Sequence, residues 1–197
     1  MNIVFYDTET TGLPDWKSPS GSESQPHLVE LSAIRVDADT REVNGELSVI
    51  IKPDGWVIPD DVIEVHGITN EIAQTEGVPE REAVDSLLAL CEGEHLRVAH
   101  NRTFDQRIIR IALKRYFSEE DQDKWAEKEN HECTMLMAKP ICQLPPKGRY
   151  GWKNPKLEEA YKHFTGEELE GNHRAMVDAK ACMAIYFAMK DLENDDG

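Results

Sequence analysis

The chain has 197 residues, of which 40% are hydrophobic and 30% charged, and these proportions exclude a disordered or fibrous protein. Its formal net charge of −16 at pH 7 argues against a broad surface for long nucleic acids, although metal ions could still hold a few nucleotides locally. We find no apolar stretch near the roughly 20 residues of a membrane span, no signal peptide, and no C-x-x-C pair among the cysteines. We therefore expect a cytoplasmic protein without a membrane partner. The length suits one domain over residues 1–197, with about residues 193–197 as a frayed acidic tail.

The first predicted strand carries two acids at its end. Ile3–Tyr6 is an apolar run of β-branched and aromatic residues, which is typical of a buried strand. Because residues i and i+2 of a strand face the same side, Asp7 and Glu9 would present two neighbouring carboxylates. Such a pair repels itself unless a cation lies between the two groups, and oxygen ligands favour Mg²⁺ or Mn²⁺. The alternative is a solvated strand end with two unrelated acids.

Further strands follow in the first half of the chain. Leu28–Val36 is predicted as the second strand, and Asn44-Gly45 indicates a hairpin turn into a third, Glu46–Lys52. These three would begin an antiparallel sheet. Leu96–His100 is a short fourth strand that leads directly into a helix, as in half of an α/β unit.

Apolar stripes at helical spacing and capping residues predict the helices. They are a short turn over Pro59–Val65, a helix capped by Thr69 or Asn70, Pro79–Cys91 with Pro79 at its first position, Phe104–Phe117 with Thr103 as N-cap, Lys156–Phe164 and Arg174–Leu192. Ser118–Glu132 is dominated by charges and is interpreted as a solvated linker or exposed helix. Cys133–Ala138 is ambiguous between strand and helix.

Two loops have unusual compositions. Pro14–Pro26 is rich in Pro and Ser and is interpreted as a surface loop. Gln143–Pro155 has a basic and aromatic composition in an otherwise acidic protein, and its cluster comprises Lys147, Arg149, Tyr150, Trp152, Lys153 and the adjoining Lys156. Such a cluster suits a phosphate backbone and a stacked base, and a solvated loop is the alternative.

Two more acids and a histidine join the first pair. Asp105 lies in the first turn of a helix entered from a strand, and Asp178 lies one turn into the last helix, five residues after His173. Each of these residues taken singly is more often structural or merely exposed. Together, four carboxylates and a histidine are the components of two-metal phosphodiester cleavage, in which the histidine could accept a proton from the attacking water.

These residues fall into three ordered motifs. They are Asp7-Thr8-Glu9-Thr10-Thr11-Gly12-Leu13, His100-Asn101 with Phe104-Asp105, and Asn172-His173-Arg174-Ala175 leading to Asp178-Ala179, while Val65-His66-Gly67-Ile68-Thr69 lies between the first two. In order and spacing the chain resembles the DEDDh 3′–5′ exonucleases, a family that includes the proofreading (epsilon) subunit of bacterial DNA polymerase III and stand-alone relatives. The resemblance covers roughly residues 2–192.

The resemblance implies an α/β, ribonuclease-H-like fold, a mixed five-stranded sheet flanked by helices. It implies that Asp7, Glu9 and Asp178 bind two Mg²⁺ or Mn²⁺ ions, that Asp105 completes the metal shell directly or through water, and that His173 is the general base. The implied contacts to the 3′-terminal nucleotide are Thr8, Thr10, Gly12, Leu13, His66, Gly67, Ile68, Asn101 and Phe104.

The function we expect is a metal-dependent 3′–5′ exonuclease that acts on DNA ends, mainly single-stranded, and releases nucleoside 5′-monophosphates. An enzyme that trims RNA 3′ ends with the same residues is the alternative, because nothing in the sequence identifies a contact to the 2′-hydroxyl. A non-catalytic adaptor for a replication protein is the rival from another class, and the five filled catalytic positions count against it. Replication or repair proteins are possible partners. No polymerase-binding tail is evident, which favours a stand-alone enzyme.

Overall fold

The computed structural model describes residues 1–93, 95–149 and 151–195. Their strands form one mixed sheet in the order β3-β2-β1-β4-β5, with bounds β1 Asn2–Thr10, β2 Leu28–Asp37, β3 Val43–Ile50, β4 His95–Ala99 and β5 His131–Cys133. The β1–β2 and β2–β3 pairs are antiparallel, whereas the β1–β4 and β4–β5 pairs are parallel. The predicted mixed five-stranded sheet and its antiparallel start are confirmed.

Helices cover both faces of this sheet. Their bounds are α1 Asp60–His66, α2 Asn70–Glu76, α3 Glu80–Leu90, α4 Thr103–Tyr116, α5 Glu119–Ala126, α6 Thr134–Cys142, α7 Leu157–Thr165 and α8 Ala175–Asp195. Helix α8 thus extends beyond Leu192 into the segment expected to be frayed, and residues 196 and 197 lie outside the described ranges. Within those ranges, no helix combines the length and apolarity that a membrane crossing needs.

The central strand β1 is apolar because helices cover both of its faces. Val4 and Tyr6 pack into the cluster beneath α3, α4 and α5, while Ile3 and Phe5 pack into the cluster beneath α8. Because successive side chains of a strand alternate between faces, a strand that is covered on both faces needs apolar residues at every position. The run ends where β1 reaches the edge of these clusters, and the acidic residues begin there.

The hairpin turn predicted at Asn44-Gly45 is wrong. Gly45 lies inside β3 opposite Arg35, and the chain turns earlier, where Asp37 accepts hydrogen bonds from the backbone of residues 39 and 40. The chain therefore turns at Asp37, whose side chain stabilises the turn, and not at Asn44-Gly45. A Cβ atom on Gly45 would lie 2.7 Å from the Leu90 side chain, so this glycine allows α3 to pack closely against β3.

Other bounds differ more modestly. Thr69 caps α2 as predicted, accepting a hydrogen bond from the Ile72 N–H, whereas Pro79 is the N-cap of α3 and Thr103 is already the first residue of α4. The charged segment after α4 forms α5, which buries Trp125 between the sheet and α4. The ambiguous segment divides, because Cys133 ends β5 and Thr134 begins α6.

Candidate active site

The carboxyl end of β1 brings Asp7 and Glu9 to the edge of the sheet. Both carboxylates are half-buried, and they share the strand face of Ile3 and Phe5, toward α8. Thr8 lies on the other face, toward α4. Its backbone N–H and its hydroxyl donate to Asp105 Oδ1, at 3.1 and 2.8 Å, so Thr8 fixes the buried Asp105 beside β1.

Helix α8 supplies the remaining acid and the histidine. Asp178 Oδ2 accepts a hydrogen bond from the His173 N–H at 3.1 Å, while its buried Oδ1 has no partner among the described atoms. His173 is exposed, with φ of 67°. One ligand atom from each of Glu9, His173 and Asp178 lies within 4.8 Å of the other two. The structure therefore brings two motifs together at one point of the sheet edge.

The pKa values of the four acids of this site are raised. Burial, reinforced by neighbouring carboxylates, raises the pKa of Asp7 well above its ordinary value and that of Glu9 to about 8. Burial raises the pKa of Asp105 to about 7, although the Thr8 hydrogen bonds oppose this shift, and that of Asp178 to about 6. Carboxylates that repel one another, with a buried oxygen that lacks a partner, are the donor set that a divalent cation fits.

Metal-free protein is expected to lose several kcal/mol of stability between pH 5.5 and pH 8 because of these acids. Their pKa values are raised in the folded state, so in this window the folded chain binds more protons than the unfolded chain, and stability falls as pH rises. Urea unfolding in EDTA at both pH values measures the loss. A divalent ion added at pH 8 should restore it, and a metal-free stability that rises with pH would contradict the prediction.

An ion pair that sequence reasoning missed anchors the start of α8. Glu30 is buried and accepts hydrogen bonds from the Ala175 N–H at 2.8 Å and from the Arg174 guanidinium, with 2.7 Å between Arg174 Nη2 and Glu30 Oε1. Glu30 is the strand partner of Glu9. The pair therefore connects the strand beside the acids to the helix that carries Asp178. An acid within the apolar run of β2 was the available signal.

The first motif also shapes a turn at the mouth of the site. The buried Thr10 donates its hydroxyl hydrogen to the Gly12 carbonyl at 2.8 Å, and Gly12 has φ of 151°, which favours glycine. A Cβ atom on Gly12 would meet nothing within 4 Å, and the Leu13 side chain is 83% exposed. Gly12 and Leu13 thus border open space, whereas the hydroxyls of Thr8 and Thr10 are engaged within the protein.

The other predicted nucleotide contacts differ in accessibility. His66 is buried, its Nδ1 accepts from the Ile68 N–H at 3.0 Å, and its Nε2 has no partner among the described atoms. Gly67 ends α1 with φ of 75°, and Ile68 is buried in a hydrophobic cluster. Asn101, with φ of 61°, is exposed just before α4, and Phe104 is half-buried against the core.

The Pro14–Pro26 loop is held more firmly than its composition predicts. The buried Gln25 side chain donates to three backbone carbonyls of the loop and accepts from the Asp15 N–H. Arg115 donates to the carbonyls of residues 25 and 26 and pairs with the buried Glu80. Burial alone would raise the pKa of Glu80, but hydrogen bonds, first from His27, lower it. This network fixes the segment that follows Leu13.

Comparison with known proteins agrees with this geometry. A family model described as an exonuclease matches residues 4–186, a range that includes all the acids of the site and His173. The uncharacterized exonuclease CP81 of Escherichia phage 186 is 29% identical over 94% of this chain and 87% of its own length. The DNA polymerase III subunit epsilon of Treponema pallidum is 26% identical over 95% of this chain and 75% of its own length.

Solved structures share the fold. Exonuclease I of E. coli in complex with a dA16 oligonucleotide superimposes with a TM-score of 0.74 at 22% identity, over 96% of this chain and 41% of that one. This chain thus spans about two fifths of that protein, and about a tenth of the PolC-type DNA polymerase III of Bacillus subtilis, of which it covers 11% at 26% identity. The predicted ribonuclease-H-like α/β fold is confirmed. With its three motifs inside the matched range, the chain belongs to the exonuclease family, within the DEDDh 3′–5′ class.

Proposed function

We propose that this chain is a divalent-metal-dependent exonuclease that removes nucleoside 5′-monophosphates from the 3′ end of single-stranded DNA. The observation that carries the proposal is the convergence of Glu9, His173 and Asp178 within 4.8 Å at the end of β1, beside Asp7 and Asp105. DNA is favoured as the substrate because a similar structure holds a dA16 oligonucleotide and because curated relatives are subunits or forms of a DNA polymerase.

The acids would hold the metal ions. Asp7, Glu9 and Asp178 have the oxygen ligands that Mg²⁺ and Mn²⁺ prefer, and Asp105, held by Thr8, would complete the shell directly or through water. Two bound ions would supply a reactive water and stabilise the charge on the leaving oxygen. The chain's own contribution is to hold these carboxylates in place through the β1 backbone, Thr8 and the start of α8.

His173 would accept the proton of the attacking water. Its backbone is tied to Asp178, while its side chain is exposed at the mouth of the site, where solvent and a nucleotide can reach it. Neutral imidazole is a suitable general base near pH 7. Gly12 and Leu13 border open space and would contact the terminal nucleotide.

Changing His173 to Ala is expected to lower kcat about 100-fold and to leave Mn²⁺ affinity nearly unchanged. A general base takes part in proton transfer and not in metal binding, so turnover and metal affinity should separate. Single-turnover hydrolysis and calorimetric Mn²⁺ titration measure the two quantities. Because His173 also lies within ligand distance of Glu9 and Asp178, a large loss of Mn²⁺ affinity would instead identify it as a metal ligand.

The experiment that tests the function is a time course on two 5′-labelled single strands of one sequence, one DNA and one RNA, with Mg²⁺, Mn²⁺ or EDTA. Products that shorten from the 3′ end only with metal, and faster on DNA, would support the proposal. Faster shortening of the RNA would instead identify an RNA-trimming enzyme. If neither strand shortens with any metal, the non-catalytic adaptor, or an enzyme that needs a polymerase or repair partner, becomes the better interpretation.

A further inference from the structure

One long segment of this acidic chain contains no acidic residue. Residues 133–157 contain five Lys or Arg and no Asp or Glu, whereas the whole chain has 22 basic and 38 acidic residues. Lys147, Arg149 and Lys156 are exposed, and Trp152 is half-buried. The Lys147 ammonium lies 4.9 Å from the centre of the Trp152 ring. An indole and a cation therefore lie together on the surface that we call the basic loop (residues 143–149 and 151–156), while Tyr150 of the predicted cluster lies outside the described residues.

The structure attaches the basic loop to the catalytic edge of the sheet. His100 directly follows β4, and its Nε2 lies 3.0 Å from the Pro155 carbonyl, a contact in which the imidazole must donate. Its Nδ1 then accepts from the Thr134 hydroxyl, also at 3.0 Å. His100 is five residues before Asp105, so the end of the basic loop lies beside the entrance to α4.

A second contact points to the same place. Lys156 adjoins α7, whose side chains pack against α8 through Leu157 and Ala160. Leu157, the first residue of α7, also packs into the hydrophobic cluster that contains Phe5 and Ala179, which lie close to Asp7 on β1 and to Asp178 on α8. The amino end of α7, and with it the end of the basic loop, therefore lies near the acids that would bind metal.

We propose that the basic loop is a binding surface for single-stranded DNA, holding the strand on the 5′ side of the terminal nucleotide by phosphate contacts to Lys147 and Arg149 and by a base stacked on Trp152. This proposal rests on the proposed function, because it assumes that the 3′ end lies at the acids. Cations track a phosphate backbone and an aromatic ring accepts any base, so the surface would bind without sequence preference. Because residues 143–156 include no Asp or Glu, a strand that follows this loop would meet no repelling carboxylate within it.

The test measures binding apart from hydrolysis. Fluorescence anisotropy gives the affinity of an inactive Asp178→Asn protein for dT4 and dT20 between 50 and 300 mM NaCl. Adding Lys147→Gln and Arg149→Gln should reduce the slope of log affinity against log salt for dT20 by about 1.4, because each single-strand phosphate contact contributes about 0.7. The affinity for dT20 at 100 mM NaCl should fall about 10-fold or more, and that for dT4 much less.

Trp152→Ala should weaken dT20 binding about 5-fold or more, with Trp152→Phe restoring most of the loss.

The matched control removes two positive charges outside the basic loop. Lys190 lies twelve residues beyond Asp178 on α8, about 18 Å along the helix, and Lys124 lies on α5, where its carbonyl contacts Arg97 beside the start of β1. Lys124→Gln with Lys190→Gln should leave the salt slope for dT20 within error of the parent protein. An equal loss in the control, or an unchanged slope in the Lys147 and Arg149 variant, would overturn the proposal.

The two proposals fail in different ways. Absence of metal-dependent shortening of dT20 by the unmodified chain would contradict the proposed function, whatever the binding data show. Normal shortening of dT20, with a salt slope that does not respond to Lys147 and Arg149, would contradict only the DNA-binding surface. A thermal melt of each variant identifies misfolding, and the restoration by Trp152→Phe separates stacking from a purely structural role of the indole.

Discussion

Replacement of Asp178 by Asn is expected to lower exonuclease turnover about 1,000-fold, because in the proposed function Asp178 is a metal ligand and the loss of its charge removes several kcal/mol of transition-state stabilisation. The same change should make the metal-free protein about 2 kcal/mol more stable at pH 8. Burial raises the pKa of Asp178 to about 6, so at pH 8 the ionised carboxylate is held at a cost in the folded state that the unfolded chain does not have. Asn keeps an oxygen for the His173 N–H and carries no charge, so the hydrogen bond can persist while the repulsion disappears.

Turnover on 5′-labelled dT20 with Mn²⁺ and urea unfolding in EDTA measure the two effects. Asp191→Asn is the matched control, since Asp191 lies on the same helix but pairs with Arg41 on an exposed surface, where solvent screens the ion pair. The control should retain turnover and should not gain stability. Unaltered turnover in Asp178→Asn would exclude Asp178 from the reaction. A variant that is less stable than the parent protein at pH 8 would show that the charge of Asp178 does not destabilise the folded protein.

The parts of this fold that the sequence predicts are those fixed by short-range chemistry. The β1 run is apolar at every position because both faces are covered, and its end coincides with the first acids. The path of β2 into β3 was placed wrongly, since two turn signals lie seven residues apart and the choice depends on Leu90, which packs against Gly45 from a helix far along the chain. Local propensity cannot resolve such a choice, because the deciding contact is tertiary.

The candidate site shows the same division. Asp7, Glu9, Asp105 and Asp178 could be selected from spacing and motif, because each lies near a strand end or a helix start that the sequence marks. Glu30 could not, since its partner Arg174 is 144 residues away and only the folded sheet places the two beside Glu9. Supporting ion pairs of this kind have no local pattern, whereas metal-binding acids occur within recognisable motifs.

The Glu30–Arg174 pair predicts an asymmetry between its two halves. Arg174→Ala is expected to destabilise the protein by about 3 kcal/mol, because the buried Glu30 carboxylate loses its charged partner. Of the contacts described above, Glu30 would keep the hydrogen bond from the Ala175 N–H. The figure lies at the low end for a broken buried pair because the Arg174 side chain is 50% exposed and partly solvated. Glu30→Gln should cost less, about 1 kcal/mol or less, because the orphaned guanidinium can reach water and the glutamine oxygen can still accept from Ala175.

Urea unfolding of both single variants, the Glu30→Gln/Arg174→Ala double variant and Arg174→Lys measures this asymmetry. The double variant should be more stable than Arg174→Ala alone, because the uncompensated charge is then absent. Lys keeps the charge but cannot form the paired contacts of a guanidinium, so Arg174→Lys should recover only part of the loss. Equal costs for the two single variants, with simple additivity in the double variant, would mean that solvent already screens the pair. The start of α8 would then be held by the Ala175 hydrogen bond and by packing, and Asp178 would owe its position to the helix rather than to Arg174.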